Sequence, residues 1–191
     1  MVLASRNPHK LRELQALLAP HSLEPLPGGV ELPPESGDSF RENALLKART
    51  VAGATGRTAL ADDSGIEVMA LGGAPGIHSA RFAGETATDD ENLAKLIHLL
   101  DGAEDRRAAY VCVLALTDPN GEERTFEARC EGRLIDTPRG AGGFGYDPIF
   151  VPEEHDSVER TMAELAPEEK DLISHRGRAA RMLATWLPSQ R

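Results

Sequence analysis

Three acidic side chains in the sequence are of the type that binds a divalent cation. Asp62 and Asp63 follow a short apolar run, and Glu42 lies three residues after Ser39 at the start of a helix pattern. Mg²⁺ prefers a few carboxylate oxygens, completed by water and phosphate oxygens. Because neighbouring strand residues face opposite ways, we expect only one of the two aspartates to point into a site. The same residues also fit a polar turn at 62–65 and a helix cap at Glu42, with no metal.

A second candidate is a donor-rich segment at the start of the chain, Ser5-Arg6-Asn7-Pro8-His9-Lys10. Asn7 followed by Pro8 is typical of a helix start, because asparagine caps free N–H groups and proline fits the first helical position. A helix N-terminus attracts anions, and Arg6 and Lys10 add positive charge there. The segment therefore predicts a phosphate site or, alternatively, an ordinary capped helix with solvated cations.

The glycine-rich stretch at 140–148 formally matches the dinucleotide-binding pattern G-x-G-x-x-G. That pattern needs a helix to start within it, whereas Pro148 follows at once and pushes the preceding residue out of helical geometry. We therefore expect a loop instead. Its rings, Phe144 and Tyr146, could stack on a nucleobase, although burial of Tyr146 in the core is equally compatible with the sequence. A further donor-rich patch at 170–178 by itself predicts a solvated helix end.

Helix and strand patterns place these residues in a mixed α/β arrangement. Strand patterns lie at 1–5, 58–61, 66–71, 110–116 and 124–130, and helix patterns start near residues 8, 40, 89, 167 and 175. The segment 118–121 predicts a hairpin turn, and Leu183, Trp186 and Leu187 predict the buried face of the last helix. Cys112 and Cys130 are expected to be half-buried core residues. We therefore expect a mixed sheet covered by helices.

Composition narrows the functional classes. The 191 residues carry 21 basic and 31 acidic side chains, a formal charge of −10, which argues against a nucleic-acid-binding surface. The longest mostly apolar run, 108–116, is too short to span a bilayer, and residues 1–10 lack the features of a signal peptide. Two cysteines suit a reducing compartment. We expect one cytoplasmic domain over 1–191, with no membrane or nucleic-acid partner.

Five segments, in this order, resemble the inosine triphosphate pyrophosphatase family, which hydrolyses non-standard purine nucleoside triphosphates to monophosphate and pyrophosphate. They are LASRNPHKLREL at 3–14, SFRENALLKA at 39–48, ALADDSGIEVMALGGAPGIHSARFAG at 59–84, GFGYDPIF at 143–150 and EEKDLISHRGRA at 168–179. Each segment alone is only suggestive. Together they span nearly the whole chain, and their order makes the resemblance specific.

The resemblance implies an α/β fold with a long central mixed sheet flanked by helices, two lobes around a cleft, a homodimer, and Mg²⁺ as cofactor. It implies that Glu42 and Asp63 bind the metal, that Asp63 also accepts a proton from the attacking water, and that Asp62 supports them. The resemblance assigns substrate contacts to two places. Triphosphate binding is assigned to Ser5, Arg6, Asn7, Pro8, His9 and Lys10, and a further substrate contact to Ser64. The resemblance assigns recognition of the base to Phe144, Gly145, Tyr146, Asp147, Lys170, His175 and Arg176.

Four positions depart from the family's pattern. Met69 and His78 stand where an acidic residue and a tyrosine are more familiar, and Asp171 and Arg178 replace a common asparagine and lysine. None of these removes a matched catalytic position. Two other functions stay open: a pyrophosphatase for modified pyrimidine or standard nucleotides, and a catalytically silent nucleotide sensor.

Overall fold

The computed structural model describes residues 1–154 and 159–187. Within these ranges the chain forms five strands and five α-helices. The strands are β1 (Val2–Leu3), β2 (Ala59–Val68), β3 (Arg107–Thr117), β4 (Glu123–Leu134) and β5 (Phe150–Pro152). The helices are α1 (Pro8–Leu17), α2 (Phe40–Thr55), α3 (Asp89–Leu99), α4 (Pro167–Ile173) and α5 (His175–Trp186). No helix of the described segments is long and apolar enough to cross a membrane.

The five strands form one mixed sheet in the order β1-β2-β3-β4-β5. β1 runs parallel to β2, with Val2 opposite Ala59, whereas β4 and β5 are antiparallel, with Gly132 opposite Pro152. Helices flank this sheet, which confirms the expected α/β class. The short strand β5 gave no recognisable sequence signal, because its three residues follow directly on a proline-containing turn.

The chain divides into two compact units, each with its own core. The first comprises 1–63, 112–128 and 176–191, and the second 64–111 and 129–175. Leucines dominate the first core, among them Leu3, Leu14, Leu60, Leu114 and Leu183. The second core includes the aromatic residues Tyr110, Tyr146 and Phe150. The expectation of a single functional domain stays a prediction.

Local capping signals fix the starts of the first three helices, as predicted. The Asn7 side chain caps α1 by accepting hydrogen bonds from the N–H groups of His9 (2.8 Å) and Lys10 (3.3 Å). Ser39 accepts from the Glu42 N–H group at the start of α2. Both halves of a capping box are present at the start of α3. These bonds satisfy donors that have no partner inside a helix.

One expectation about the strands is wrong. The sequence suggested that a strand stops at Ala61 and that 62–65 form a turn, but β2 runs without interruption from Ala59 to Val68. The polar residues stay in the strand because cationic side chains from distant segments pair with the buried carboxylates there. Asp62 and Asp63 are therefore neighbours in mid-strand, where successive side chains point to opposite faces.

The buried face of α5 is also narrower than expected. Leu183 is fully buried, but Trp186 is 47% exposed, and its ring lies 5.9 Å from that of Phe126. The two cysteines are more buried than predicted, since Cys112 is 0% and Cys130 1% exposed. The rejection of a dinucleotide-binding helix at 140–148 is confirmed, since a short 3-10 helix, Asp147–Ile149, follows the glycines instead.

Candidate functional site

In the first unit, Asp62 carries a permanent negative charge inside the protein. The residue is 1% exposed, and its carboxylate accepts a hydrogen bond from Arg176 Nε at 2.8 Å while pairing with Lys10 Nζ. Burial disfavours a charged carboxyl, but the charges of Arg176 and Lys10 outweigh it and hold the pKa of Asp62 well below its usual range. Asp62 is therefore anionic wherever the protein is folded at ordinary pH.

Arg176 is the buried cation that Asp62 neutralises. It is 2% exposed, and its Nη1 atom donates to Glu13 Oε2 at 2.8 Å, so carboxylates meet two of its nitrogens. The Cys112 thiol lies 3.4 Å from Asp62 Oδ2, the oxygen that also accepts from Arg176 Nε. Burial raises the pKa of this thiol well above its usual value, so it stays neutral beside the ion pair. We call Lys10, Glu13, Asp62 and Arg176 the buried ion network.

Asp63, on the opposite face of β2, is held by a buried lysine of α2. Lys47 Nζ donates to Asp63 Oδ1 at 2.7 Å, to Glu35 Oε1 at 3.0 Å and to the backbone oxygen of Asp62 at 3.0 Å. Burial disfavours the ammonium, but the carboxylates of Asp63 and Glu35 outweigh it and raise the pKa of Lys47. The lysine is thus a fixed cation that orients one oxygen of Asp63.

The second carboxylate oxygen of Asp63 is buried without a hydrogen-bond partner among the described residues. Such an atom is costly unless something else meets it. Burial raises the pKa of Asp63 to about 6, against the opposing charge of Lys47. The two adjacent carboxyls of β2 therefore differ in pKa. Asp62 stays ionised, whereas Asp63 exchanges a proton at a pH of about 6.

We expect the Asp63 carboxyl of the metal-free protein to titrate at a pH of about 6, about two units above an ordinary aspartate. Its ionised fraction, the form that can accept a proton, therefore falls as the pH drops through this value. Carboxyl ¹³C chemical shifts recorded against pH measure this, and Asp63→Asn assigns the resonance by removing it. Titration of that resonance at pH 4 or below would contradict the desolvated environment.

Glu42 has a clear structural role at the start of α2. Its Oε2 atom accepts a hydrogen bond from the Asp38 N–H group at 2.8 Å, and the residue is exposed.

Within the described ranges no group of three or more His, Cys, Asp or Glu side chains is arranged so that it could hold a metal ion. The unpartnered oxygen of Asp63 nevertheless fits Mg²⁺, which takes few protein ligands when phosphate oxygens complete its shell.

The donor-rich segment 5–10 folds as a strand-to-helix turn in the same unit. Ser5 Oγ accepts from the Asn7 N–H group at 3.1 Å, and Arg6 Nη2 donates to the Val30 oxygen at 2.7 Å. Lys10 reaches back from the first turn of α1 to Asp62. The segment thus joins a helix N-terminus to the carboxylates of β2 through one lysine.

In the second unit, residues 143–147 form a tight turn that we call the aromatic loop. The φ angles of Gly143 and Gly145 are +71° and +62°, a left-handed conformation that favours glycine. A Cβ on Gly143 would lie 2.0 Å from Asp147 Oδ2, so glycine is required there. This carboxylate oxygen accepts from the Phe144 N–H group at 3.0 Å and from Lys170 Nζ at 2.8 Å.

The rings of Phe144, Tyr146 and His175 differ in how far they are buried. Phe144 is half-buried, with Lys170 Nζ 5.2 Å from its ring centroid. Tyr146 is 5% exposed and its hydroxyl donates to the Ser79 oxygen at 2.7 Å, so its ring belongs to the core. His175 stacks on Tyr110 with ring centroids 4.6 Å apart. Phe144 is therefore the ring best placed to meet a planar ligand.

Comparison with known proteins decides the family. The model of the Ham1 family matches residues 1–186. The chain belongs to the Ham1 family. It is 48% identical over 194 residues to a Geobacter sulfurreducens protein named dITP/XTP pyrophosphatase, a match that covers 98% of this chain and 96% of the relative. The resemblance found from the five sequence segments is thereby confirmed.

Solved structures agree with the Ham1 assignment. A HAM1 protein from Coxiella burnetii has a TM-score of 0.87 at 45% identity, and the match covers 97% of this chain and 96% of that one. The Staphylococcus aureus Ham1 protein has a TM-score of 0.86 at 39% identity, with the same coverage. The fold of the Ham1 chain is therefore shared with experimentally determined structures of relatives.

The structure distributes the sequence-predicted site residues of this Ham1 chain over both units. The first unit contains the metal and triphosphate candidates together with Arg176, and the second contains Ser64 and the remaining base candidates. Lys10, Asp62 and Arg176 are brought together, as are Phe144, Asp147 and Lys170. Arg176 contacts Glu13 and Asp62, so its expected role at the base stays a prediction.

Sequence reasoning missed Lys47, the residue that orients Asp63 in the Ham1 chain. A signal was present: Lys47 lies at helical spacing among Ala44, Ala48 and Val51, the apolar stripe of α2. A lysine in such a stripe is almost never fully buried unless an acid pairs with it. Glu35 and Glu13 gave no comparable signal, because each lies in a segment rich in exposed polar or turn-forming residues.

Proposed function

We propose that this chain hydrolyses non-standard purine nucleoside triphosphates such as ITP, dITP and XTP to the monophosphate and pyrophosphate. The observation that carries the proposal is the buried Asp63 carboxyl, with one oxygen fixed by Lys47 and the other without a hydrogen-bond partner in the described part of the chain. Two relatives that are 48% identical over 98% and 94% of this chain are named dITP/XTP pyrophosphatases, which supports the same substrates here.

The reaction adds water to the α-phosphorus. A bond forms between the water oxygen and this phosphorus, the bridge to the β-phosphate breaks, and pyrophosphate leaves. Asp63 orients the water and takes its proton, a role that suits a buried carboxylate whose orientation is fixed by Lys47. Lys47 keeps the Asp63 carboxylate in one orientation, so that its other oxygen stays directed away from the lysine.

Mg²⁺ is the proposed cofactor, with Asp63 and Glu42 as its protein ligands. The unpartnered oxygen of Asp63 supports this proposal, and Glu42 would have to exchange its contact with the Asp38 N–H group to take part. When bound, Mg²⁺ would neutralise charge on the phosphate oxygens. Residues 5–10 bind the triphosphate through the N-terminus of α1 and the charges of Arg6 and Lys10.

Base recognition is proposed for the aromatic loop and Lys170. The ring of Phe144 would stack on a purine without choosing among purines. Hypoxanthine and xanthine carry an acceptor oxygen at position 6, where adenine carries a donor. Lys170, His175 and Arg176 are donors, so adenine would leave polar groups unpaired, at a cost of about 1–3 kcal/mol for each group. Guanine shares the 6-oxygen, so its rejection needs a second contact near position 2.

Product analysis tests the proposed cut. With ITP and Mg²⁺ we expect inosine monophosphate and pyrophosphate in equal amounts, because attack at the α-phosphorus separates these two products. Anion-exchange chromatography of the quenched reaction measures both, and omission of Mg²⁺ with added chelator is the control. Inosine diphosphate and orthophosphate as the main products would place the cut at the γ-phosphate and overturn the proposal.

Parallel assays separate the alternatives. Pyrophosphate release is measured with ITP, dITP, XTP, ATP, GTP and dUTP under the same conditions. Preference for the first three supports the proposal, whereas preference for dUTP or ATP would assign a related pyrophosphatase. Binding of all of them without turnover would indicate a nucleotide sensor. The homodimer is a further proposal that rests on the family resemblance, and the cytoplasmic location is one that the low cysteine content supports.

A further inference from the structure

The aromatic loop has a weak point at Gly145. This glycine adopts a left-handed φ of +62°, and apart from its chain neighbours no atom of the described residues lies within 4 Å of the position where a Cβ would stand. The side of Gly145 on which a side chain would stand is therefore open, and glycine has the greatest backbone freedom of all residues. Phe144, its neighbour, depends on the orientation of the peptide between them.

A carboxylate from another element meets the backbone of Gly145. Asp89 Oδ2 accepts a hydrogen bond from the Gly145 N–H group at 2.9 Å, across 56 residues of sequence. The next residue, Tyr146, is fixed by its own bond to the Ser79 oxygen. These two bonds add to the contacts of Asp147 with Phe144 and Lys170, and the contact at the Gly145 N–H group is supplied by a single exposed carboxylate.

Asp89 is well placed to act as an anchor because α3 is firmly attached at this end. Asn92, 2% exposed, accepts from the Ala83 N–H group at 2.7 Å and donates to the Ala80 oxygen at 3.1 Å. Glu91 completes the capping box with Thr88. Since Glu91 provides the capping carboxylate, the Asp89 carboxylate is available to the loop.

We propose that Asp89 is a positioning residue for base recognition, which acts by fixing the Phe144–Gly145 peptide so that the Phe144 ring is presented in one orientation. This inference rests on the proposed function, because Phe144 must meet the base for Asp89 to affect binding. It predicts that Asp89 matters for ligands that contain a base and not for pyrophosphate.

Amide hydrogen exchange tests the anchor without reference to activity. In Asp89→Ala we expect exchange at the Gly145 amide to be about tenfold faster than in the wild type, since the N–H group loses its acceptor. Asp90→Ala is the matched control, because it removes a carboxylate from the same turn of α3 and the same helix dipole interaction. Unchanged exchange in Asp89→Ala, or equal acceleration in both variants, would overturn the anchor.

Product inhibition tests the consequence for recognition. In Asp89→Ala the inhibition constant of inosine monophosphate for ITP hydrolysis should rise about tenfold, while that of pyrophosphate, which has no base, should stay within about twofold. Asp89→Asn, which retains a carbonyl acceptor, should restore most of the loss. Equal weakening of both inhibitors would indicate general damage and reject the positioning role, as would an unchanged constant for inosine monophosphate.

The two readouts also separate this inference from the proposed function. If the protein does not hydrolyse ITP, calorimetric titration with inosine monophosphate and pyrophosphate replaces inhibition. Accelerated exchange at Gly145 with no binding of inosine monophosphate to the wild type would mean that the anchor exists and the proposed substrate is wrong. Normal binding with unchanged exchange in Asp89→Ala would mean that the proposed substrate stands and the anchor does not.

Discussion

Asp63→Asn is expected to lower the rate of pyrophosphate release from ITP by about 10²–10⁴-fold, the range that a general base contributes, while the protein stays folded. Asparagine keeps the shape of the side chain and can still accept the hydrogen bond from Lys47. It removes the negative charge that would hold Mg²⁺ and the basicity that would accept a proton. The loss should therefore appear in kcat at saturating Mg²⁺.

Glu42→Gln is the comparison variant for this result. Glutamine retains a carbonyl oxygen for the Asp38 N–H group, so the start of α2 should remain intact. We expect a milder loss of activity than in Asp63→Asn, because Glu42 is exposed and already has a structural role. Thermal melting of each variant provides the control. Activity of Asp63→Asn within tenfold of the wild type would contradict the assignment, and joint loss of activity and melting temperature in both variants would indicate a structural role only.

Asp62→Ala is expected to lower the free energy of unfolding by about 3–5 kcal/mol, the usual effect of removing one partner from a buried ion pair. The side chain of Asp62 is fully buried and that of Arg176 is 3% exposed, so the variant would leave a buried guanidinium without the Asp62 carboxylate. Glu13 would remain as a partner of Arg176, but it meets a different nitrogen. Urea unfolding followed by circular dichroism measures the change.

Acidification should reduce this difference between wild type and Asp62→Ala in a defined pH range. The pKa of Asp62 is lowered in the folded protein, so its contribution to stability is complete above the unfolded value of about 4. The contribution decreases as the pH falls from there towards the folded pKa. Glu13→Ala is the control, and its more exposed ion pair should have a smaller effect, of about 1 kcal/mol. Equal unfolding free energies for Asp62→Ala and the wild type would contradict the buried ion network.

Features determined by neighbouring residues could be predicted from the sequence. The caps at Asn7, Ser39 and Thr88 each act within three residues, and the hairpin between β3 and β4 depends on the four residues 118–121. The predictions for these elements are confirmed. The continuity of β2 could not be predicted, because the cations that stabilise Asp62 and Asp63 come from residues 10, 47 and 176.

In the candidate site, too, contacts between residues far apart in the sequence could not be predicted. The residues that resemble the family's motifs could be named, but their partners could not. The contact of Asp89 with Gly145 and that of Glu13 with Arg176 join residues 56 and 163 positions apart. Contacts of this kind arise from the tertiary fold and leave no periodic pattern in either segment.

The opposite orientation of Asp62 and Asp63 on β2 also limits how the length of this strand can vary. A shift of β2 by one residue would bring Asp63 or Ala61 into the position between Lys10 and Arg176, and Ser64 or Asp62 into the position opposite Lys47. Either shift would take the β2 carboxylate away from one of the two groups of cations, and it would move the apolar side chains as well. Insertions or deletions within 59–63 are therefore excluded by charge in addition to packing, whereas length changes can accumulate in the exposed turn at 119–122.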